Sequence, residues 1–318
     1  MDSIETVTDV GFEAFYDVYS NALTRSFDAP WLSIEKRVNL TDDAYGTKVA
    51  LIGRDESGSP VSAGWVVMPL QDNVHTAFVE VLVPPAQRRR GHGTAMLDAL
   101  LDVARAGGRT QVYSAAAWAL DVVGDAGRWF AEARGFEMDI LDAIRELALP
   151  ADLPPLVVAP GYTLETWRGA CPDEWVDEYA ELRMMLTSEA PSGDAGLEDE
   201  HWDAARVRKD EADLERVGRR MQVVVARAVD GSLAGHTQLA FPQGDEVFQW
   251  DTLVRREHRG HGLGLGLKIR AMQASADLLE GRRRVTTYNA ASNAHMIAVN
   301  ERLGFRQTAW AAEYVRPI

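Results

Sequence analysis

A set of matching residues held 171 positions apart constrains this chain more than any other feature. Arg88, Gly91 and Gly93 are answered by Arg259, Gly262 and Gly264, Val83 by Val254, and Glu80 by Asp251, all at that one offset. Farther on, Gly135-Phe136 is answered by Gly304-Phe305 at 169, so only two residues are lost between the landmarks. Solenoid repeats recur every 20–50 residues or so, whereas a period this long is a whole domain copied once. At 318 residues the chain has room for two domains, each with its own core.

Both copies set the glycines in the same place. An apolar, strand-like run (residues 78–83 and 247–254) leads into a basic, glycine-rich turn, and an apolar-periodic helix follows. Alternate glycines bare successive backbone N–H groups and let a ligand approach closely, and a helix start adds its positive dipole end. Such a turn suits a polyphosphate. The dinucleotide pattern G-x-G-x-x-G fails in frame, because the sixth position is Leu267 or Leu265, and no Gly-Lys-Ser/Thr occurs because Leu267 precedes Lys268. Arg-x-x-Gly-x-Gly does fit, at Arg259, Gly262 and Gly264 and again at Arg88, Gly91 and Gly93.

That pattern resembles the pyrophosphate loop of the GNAT superfamily of acetyl-CoA-dependent N-acetyltransferases, and the resemblance covers nearly all of both halves. It implies an α+β, layered fold: two tandem domains, each a mixed, mostly antiparallel sheet flanked by helices. It also implies acetyl-CoA as cofactor and a primary amine of a small molecule or peptide as acceptor. By the same likeness, cofactor contacts fall on Leu253, Val254, Arg259, Gly260, His261, Gly262, Leu263 and Gly264, and in the first copy on Val83, Arg88, Gly91, His92 and Gly93. Family members commonly carry a carboxylate base on the strand before the loop, where Asp251 and Glu80 stand. The residues alone leave open that either carboxylate is paired with an arginine or simply solvated. The two histidines, His92 and His261, are expected at the loop surface.

One asparagine separates the copies. Asn293-Ala-His-Met and the downstream Asn300-Glu-Arg-Leu-Gly304-Phe305 are similar to the family's N-x-x-A…Y-E-K-L-G-F run, with Asn293 in the cofactor-binding place. In the first copy that place holds Gly124. At the tyrosine, which often protonates the departing sulfur, the chain has Asn300 and Ala131, neither of which donates a proton as a phenol does. Tyr288, Tyr314 or a water remain as acids. The main site is therefore expected in the C-terminal domain, with catalysis impaired or lost in the N-terminal one. The alternative is a catalytically inactive, CoA-binding or partner-docking relative.

Each half opens on an amphipathic helix, marked by Phe12, Phe15, Tyr19 and Leu23 and by Trp175, Tyr179, Leu182 and Leu186. Strands are expected at 48–54, 60–70, 110–115, 136–140 and 143–149, with a helix at 126–134 closed by Gly135. Pro150, Pro154, Pro155 and Pro160-Gly161 suit an extended linker, which gives domains at 1–150 and 162–318 joined by 151–161.

Composition excludes several classes. A formal net charge of −15 disfavours nucleic acid, whose phosphates need Lys and Arg. The basic run Gln87-Arg-Arg-Arg90 stands directly before a phosphate loop and is expected to face the cofactor or the solvent rather than nucleic acid. No apolar run is long enough to span a membrane. The single cysteine, Cys171, and the acidic N-terminus point to a cytoplasmic protein without structural zinc. An acidic stretch (Glu189, Asp194, Glu198, Asp199, Glu200, Asp203) suggests a lip that draws in cationic amines. Nothing in the sequence chooses between a monomer and a homodimer.

Overall fold

The computed structural model describes residues 3–122, 124–189, 193 and 196–318. The first half runs β1 (Ser3–Thr6), α1 (Phe12–Ala22), α2 (Ser33–Asn39), β2 (Gly46–Arg54), β3 (Pro60–Pro69), β4 (Thr76–Leu82), α3 (His92–Ala106), β5 (Gln111–Ala119), α4 (Ala126–Ala133) and β6 (Glu137–Ala148). The second repeats that order with one short helix added. It runs β7 (Tyr162–Arg168), α5 (Val176–Glu189), α6 (Ala204–Arg216), β8 (Arg220–Ala228), β9 (Leu233–Phe241), β10 (Glu246–Val254), α7 (Leu263–Ala274), α8 (Ala276–Leu279), β11 (Arg284–Ala290), α9 (Ala294–Leu303) and β12 (Arg306–Pro317). Among the described residues no helix is long and apolar enough to cross a membrane.

Two compact units result. The first runs to Ile140 and takes in Gly196, Leu197, Glu198 and Ala311–Ile318; the second runs from Leu141 to Trp310, apart from that short insert. The first unit's sheet has the order β1-β2-β3-β4-β5 and then the end of β12; the second has β7-β8-β9-β10-β11 and then β6. Of the pairings resolved, only β4–β5 and β10–β11 are parallel. Each sheet is thus mixed and mostly antiparallel, with helices against it.

The units do not end where the sequence halves were expected to. Residues 136–149 read as two strands closing the first domain. They form one strand, β6, whose residues 142–148 pair antiparallel with β11 in the second unit. The expected linker at 151–161 is not free either. Ala151, Leu153 and Leu156 pack on the second core, and the Val157 carbonyl lies close beside Gly266 of α7. Proline pattern marks extended chain but cannot tell a tether from a segment laid along a helix.

The second sheet is buried on both faces. β8 sends Val224 and Ala226 to one core, with Leu267 and Met272 of α7, and Val223 and Val225 to the other, with Tyr179 and Leu182 of α5. That is the period-two alternation of a strand covered on both sides. At about 1.5–3 kcal/mol for each fully buried apolar side chain, these layers hold β10 and α7 rigidly to one another.

Candidate active site

In both units the two parallel strands touch only at their starts. β4 pairs with β5 over residues 76–78, and β10 pairs with β11 over 246–248. Beyond Phe248 the ladder from β10 to β11 ends, while β10 stays bonded to β9 through Val254, after a register shift between Gln249 and Thr252. A gap therefore opens along the far half of β10. Its mouth is the glycine turn.

In the second unit that turn has a geometry that could hold an anion. Gly260 and Gly262 take φ of 85° and 71°, the left-handed region that side chains disfavour. Gly262 caps α7 and Leu263 begins it. The first helical bond runs from Gly266 N–H to Gly262 O at 3.2 Å. Among the described residues no backbone carbonyl takes the N–H groups of Leu263, Gly264 and Leu265. A Cβ added at Gly262 or Gly264 would meet no atom within 4 Å, so the mouth is open. Open space, unpaired amides and a helix start fit the diphosphate of coenzyme A.

Arg259 has a structural job. Its Nε donates to the Val254 carbonyl at 3.1 Å, tying the strand end to the turn, and its Nη2 meets Glu189 at 2.6 Å. Arg88 repeats the first bond, Nε to Val83 O at 3.0 Å. His261 is exposed, its ring 5.5 Å from that of Tyr162, whose hydroxyl contacts His258 Nδ1 at 3.0 Å. His92 was expected at the surface as well, but it is the buried first residue of α3, and its counterpart at the repeat offset is Leu263.

The first unit's mouth differs. Gly91 caps α3 with φ 93°, but the counterpart of Gly260 is Arg89, forced to φ 64°. Thr94 and Ala95 N–H both bond Gly91 O, at 3.0 and 3.1 Å. A Cβ at Gly93 would sit 3.4 Å from Phe130, and the Trp129 ring fills the space beside Gly124. A shallow hollow of about 570 Å³ at Gly91 is lined by Asp55 and Glu56 as well as Arg90 and His92. Carboxylates facing that hollow repel a diphosphate.

Asp251 keeps 22 % side-chain exposure, and its Oδ2 lies 3.6 Å from Arg183 Nε of α5. Burial pushes its carboxyl above the ordinary range; Arg183 opposes this, and Asp210 and Glu200 add to it. Arg183 also bonds Asp210 at 3.0 Å and stacks 3.9 Å over Trp202. Beside Asp251's strand lies His236, opposite Leu253 and fully buried. Burial pushes its imidazole down to about 3, so it is neutral, and among the described residues neither ring nitrogen has a partner.

Asn293 caps α9, its Oδ1 accepting from Met296 N–H at 3.1 Å. Asn300, at the tyrosine place, is fully buried and accepts from Lys268 Nζ at 2.8 Å while donating to Asn289 at 2.5 Å. Tyr288 is 46 % exposed on β11. Tyr314 belongs to the first unit, buried near Arg128. The acidic lip is largely spoken for. Glu189 holds Arg256 and Arg259, Glu198 is bonded to Asn73, Glu200 to Arg206 and Trp202, and Asp203 caps α6. Asp194 lies outside the described residues.

Sequence reading missed Gly64 and Gly235, although they too are 171 residues apart. A Cβ there would lie 2.7 Å from Glu80 O and 2.4 Å from Leu253 O, so both let the strand before the loop approach its neighbour closely. Lys36 was missed too. It is 4 % exposed, with Nζ 3.2 Å from the Trp65 ring centroid.

Comparison with known proteins agrees with this architecture. The acetyltransferase (GNAT) family matches residues 12–124 and again 179–305. A mycothiol acetyltransferase of Clavibacter sepedonicus is 29 % identical over 290 residues, covering 88 % of this chain and 85 % of that one. One from Acidothermus cellulolyticus is 29 % identical, covering 79 % and 75 %. Among solved structures, a tandem GNAT protein from the clavulanic acid biosynthesis pathway superposes with a TM-score of 0.83 at 26 % identity, over 100 % of this chain and 98 % of that one. A GCN5-related N-acetyltransferase from Sphaerobacter thermophilus shares the fold, with a TM-score of 0.70 over 99 % of this chain and 95 % of that one, at 14 % identity.

Proposed function

Because this chain belongs to the acetyltransferase (GNAT) family in both of its halves, we propose that it moves an acetyl group from acetyl-CoA to a primary amine, with the main site in the second unit. One observation carries the choice of unit. The mouth at Gly262 and Gly264 is open and, among the described residues, the amides of Leu263, Gly264 and Leu265 have no backbone partner, whereas Gly93 faces Phe130 and Arg89 is strained. Family members in general use acetyl-CoA, which supplies an acyl group already activated as a thioester. Here Leu263, Gly264 and Leu265 would hold its diphosphate through their amides, with Asn293 and the β10 edge at Leu253 and Val254 along its arm. Asp251, more basic than an ordinary carboxylate, would take the proton from the amine. The relatives named for mycothiol, and the one from clavulanic acid biosynthesis, favour a small-molecule acceptor over a peptide. Glu198, Glu200 and Asp203 are each engaged within the chain, which weakens the case for a cationic one.

A steady-state assay of free CoA release across a panel of primary amines tests this reading, with Asp251→Asn lowering kcat by at least about 100-fold. Calorimetric titration with acetyl-CoA runs beside it. Asn300 and Ala131, standing where a phenol is usual, favour a second reading, a CoA-binding protein without turnover. Tight binding with no release across the panel selects it, and absence of binding sinks both.

A further inference from the structure

We propose that Lys268, Asn300 and Asn289 of the second unit form a chain of donors that stabilises the sulfur anion leaving the acyl donor, in place of the absent phenol. The inference rests on the acetyl-transfer reading of that unit. Lys268 is buried on α7, and its Nζ donates to Asn300 Oδ1 at 2.8 Å, with the Phe305 ring centroid 5.9 Å away. Asn300 Nδ2 donates in turn to Asn289 Oδ1 at 2.5 Å. The lysine fixes the sense of this chain. An ammonium has donors and no acceptor, so Asn300 turns its oxygen to it and its NH2 away. That NH2 takes the Asn289 oxygen, which leaves the Asn289 NH2 as the outermost donor. Among the described residues no acceptor takes it. Asn289 is partly exposed on β11, three residues past Thr286, where the ladder to β10 ends, so it stands beside the gap. Thr287 Oγ1 bridges the start of that gap, donating to Gln249 O at 3.1 Å.

The charge at the inner end is unusual. Burial lowers the Lys268 ammonium, and among the described residues no carboxylate offsets it. The strands packed on α7 present Val224, Ala226, Leu239 and Val247 to the same core. On α9 the charged Glu301 and Arg302 are exposed, with Glu301 bonded to Arg145. Lys36, the buried lysine of the first unit, is not left so. It has Glu80, the repeat counterpart of Asp251, whose carboxyl is raised by burial against the pull of Lys36 and Arg25. A buried cation without a counter-charge is costly. Two amides polarised in series carry part of that charge to Asn289, and an anion arriving there supplies the partner that the core lacks. The first unit has lost the device whole. Leu97 answers Lys268 and Ala131 answers Asn300, in the half where Phe130 and Trp129 crowd the mouth.

The step balances with the groups already named. Asp251 takes the proton from the amine, the nitrogen forms the C–N bond, and the C–S bond breaks with its electron pair left on sulfur. The Asn289 N–H donates to that sulfur, where charge develops. The proton that sulfur finally gains comes from water. None passes along the amides, so Lys268 and Asn300 are positioning residues that act through Asn289.

The test reads the ionisation of bound CoA instead of turnover. Full-length protein saturated with CoA is titrated with base, and thiolate is followed by its ultraviolet absorbance. The complex with desulfo-CoA, which lacks the sulfur, serves as the blank that cancels the protein's own tyrosines. In the wild type the bound thiol should ionise at least about one pH unit below free CoA, a tenfold gain in thiolate at a given pH. Lys268→Met and Asn289→Ala should each return it to the free value while calorimetry shows desulfo-CoA still bound. Asn289→Ala changes a partly exposed position and leaves the Lys268–Asn300 pair in place, so the test does not hang on the core substitution folding. A wild-type thiol that ionises at or above the free value, or a shift that survives in either folded variant, overturns the inference and leaves the proposed function standing. Failure of the wild type to bind CoA overturns both.

Discussion

Lys268 offers the cleanest physical test of the second unit. It is 1 % exposed on α7, its ammonium donates to Asn300 Oδ1 at 2.8 Å, and burial pushes that ammonium from 10.5 down to about 7. Between those values the unfolded chain binds a proton that the folded chain does not, so stability must rise with pH, by roughly 1.4 kcal/mol per pH unit from this group. Below pH 7 the whole penalty is present, at most about 5 kcal/mol; above the unfolded value it is gone. Lys268→Met removes the titration, keeps most of the volume and leaves Asn300 Oδ1 without its donor, which costs about 1–3 kcal/mol. The variant should therefore be the more stable protein at pH 7, by roughly 2 kcal/mol. Its lead should shrink by about as much on going to pH 9. Urea unfolding followed by tryptophan fluorescence at pH 7, 8 and 9 measures this, because the difference between the two proteins cancels every other titrating group. A lead that stays constant across that range would mean Lys268 keeps its proton in the folded chain, and the reasoning from burial would be wrong.

Three other outcomes follow from the same geometry. Gly264→Val adds its side chain to open space at the start of α7, so the melting temperature should hold while acetyl-CoA affinity falls at least about tenfold by calorimetry. Gly235→Ala drives a methyl to 2.4 Å from the Leu253 carbonyl, so β10 must shift, with about 1–3 kcal/mol lost in urea unfolding and turnover falling alongside. For Asp251, whose carboxyl is raised by burial, kcat/KM should climb with pH through a value above the ordinary carboxylate range, and that limb should vanish in Asp251→Asn.

The glycine turn was legible because its chemistry is local. Alternate glycines after an apolar run dictate backbone geometry without help from the rest of the chain, and Gly260 and Gly262 take the positive φ that such a turn requires. The repeat offset carried that reading to Asp251, and pushed further it would have found Gly64 and Gly235 as well. What the sequence hid depends on contacts across the fold. Residues 142–148 alternate as any closing strand would, yet their partner is β11. Glu198 reads as one more surface acid until Asn73 is found bonded to its side chain and its backbone. Lys36 lies in a seven-residue helix with no periodic stripe to announce it, and only the three rings gathered from α1, β3 and the segment before α2 mark it out.

Duplication leaves two copies free to diverge, and the divergence here follows a physical logic. An acetyl transfer site needs a seat for the diphosphate, a base and an empty place for the amine. On the proposed function, the second unit keeps that seat open and holds its carboxylate with an unreactive cation, Arg183. On the same reading, the first sets Trp129 and Phe130 where the cofactor would lie and Lys36 where the amine would lie. An outside amine entering the first unit would have to displace an ammonium already caged by aromatics and tethered to the chain, which competes at a high effective concentration. Replacing Lys36 with alanine should therefore leave an ammonium-sized vacancy under Trp65. If methylammonium then quenches or shifts tryptophan emission in the variant but not in the wild type, the cage is an amine site kept full by its own chain. Equal response in both proteins would leave Lys36 as packing alone.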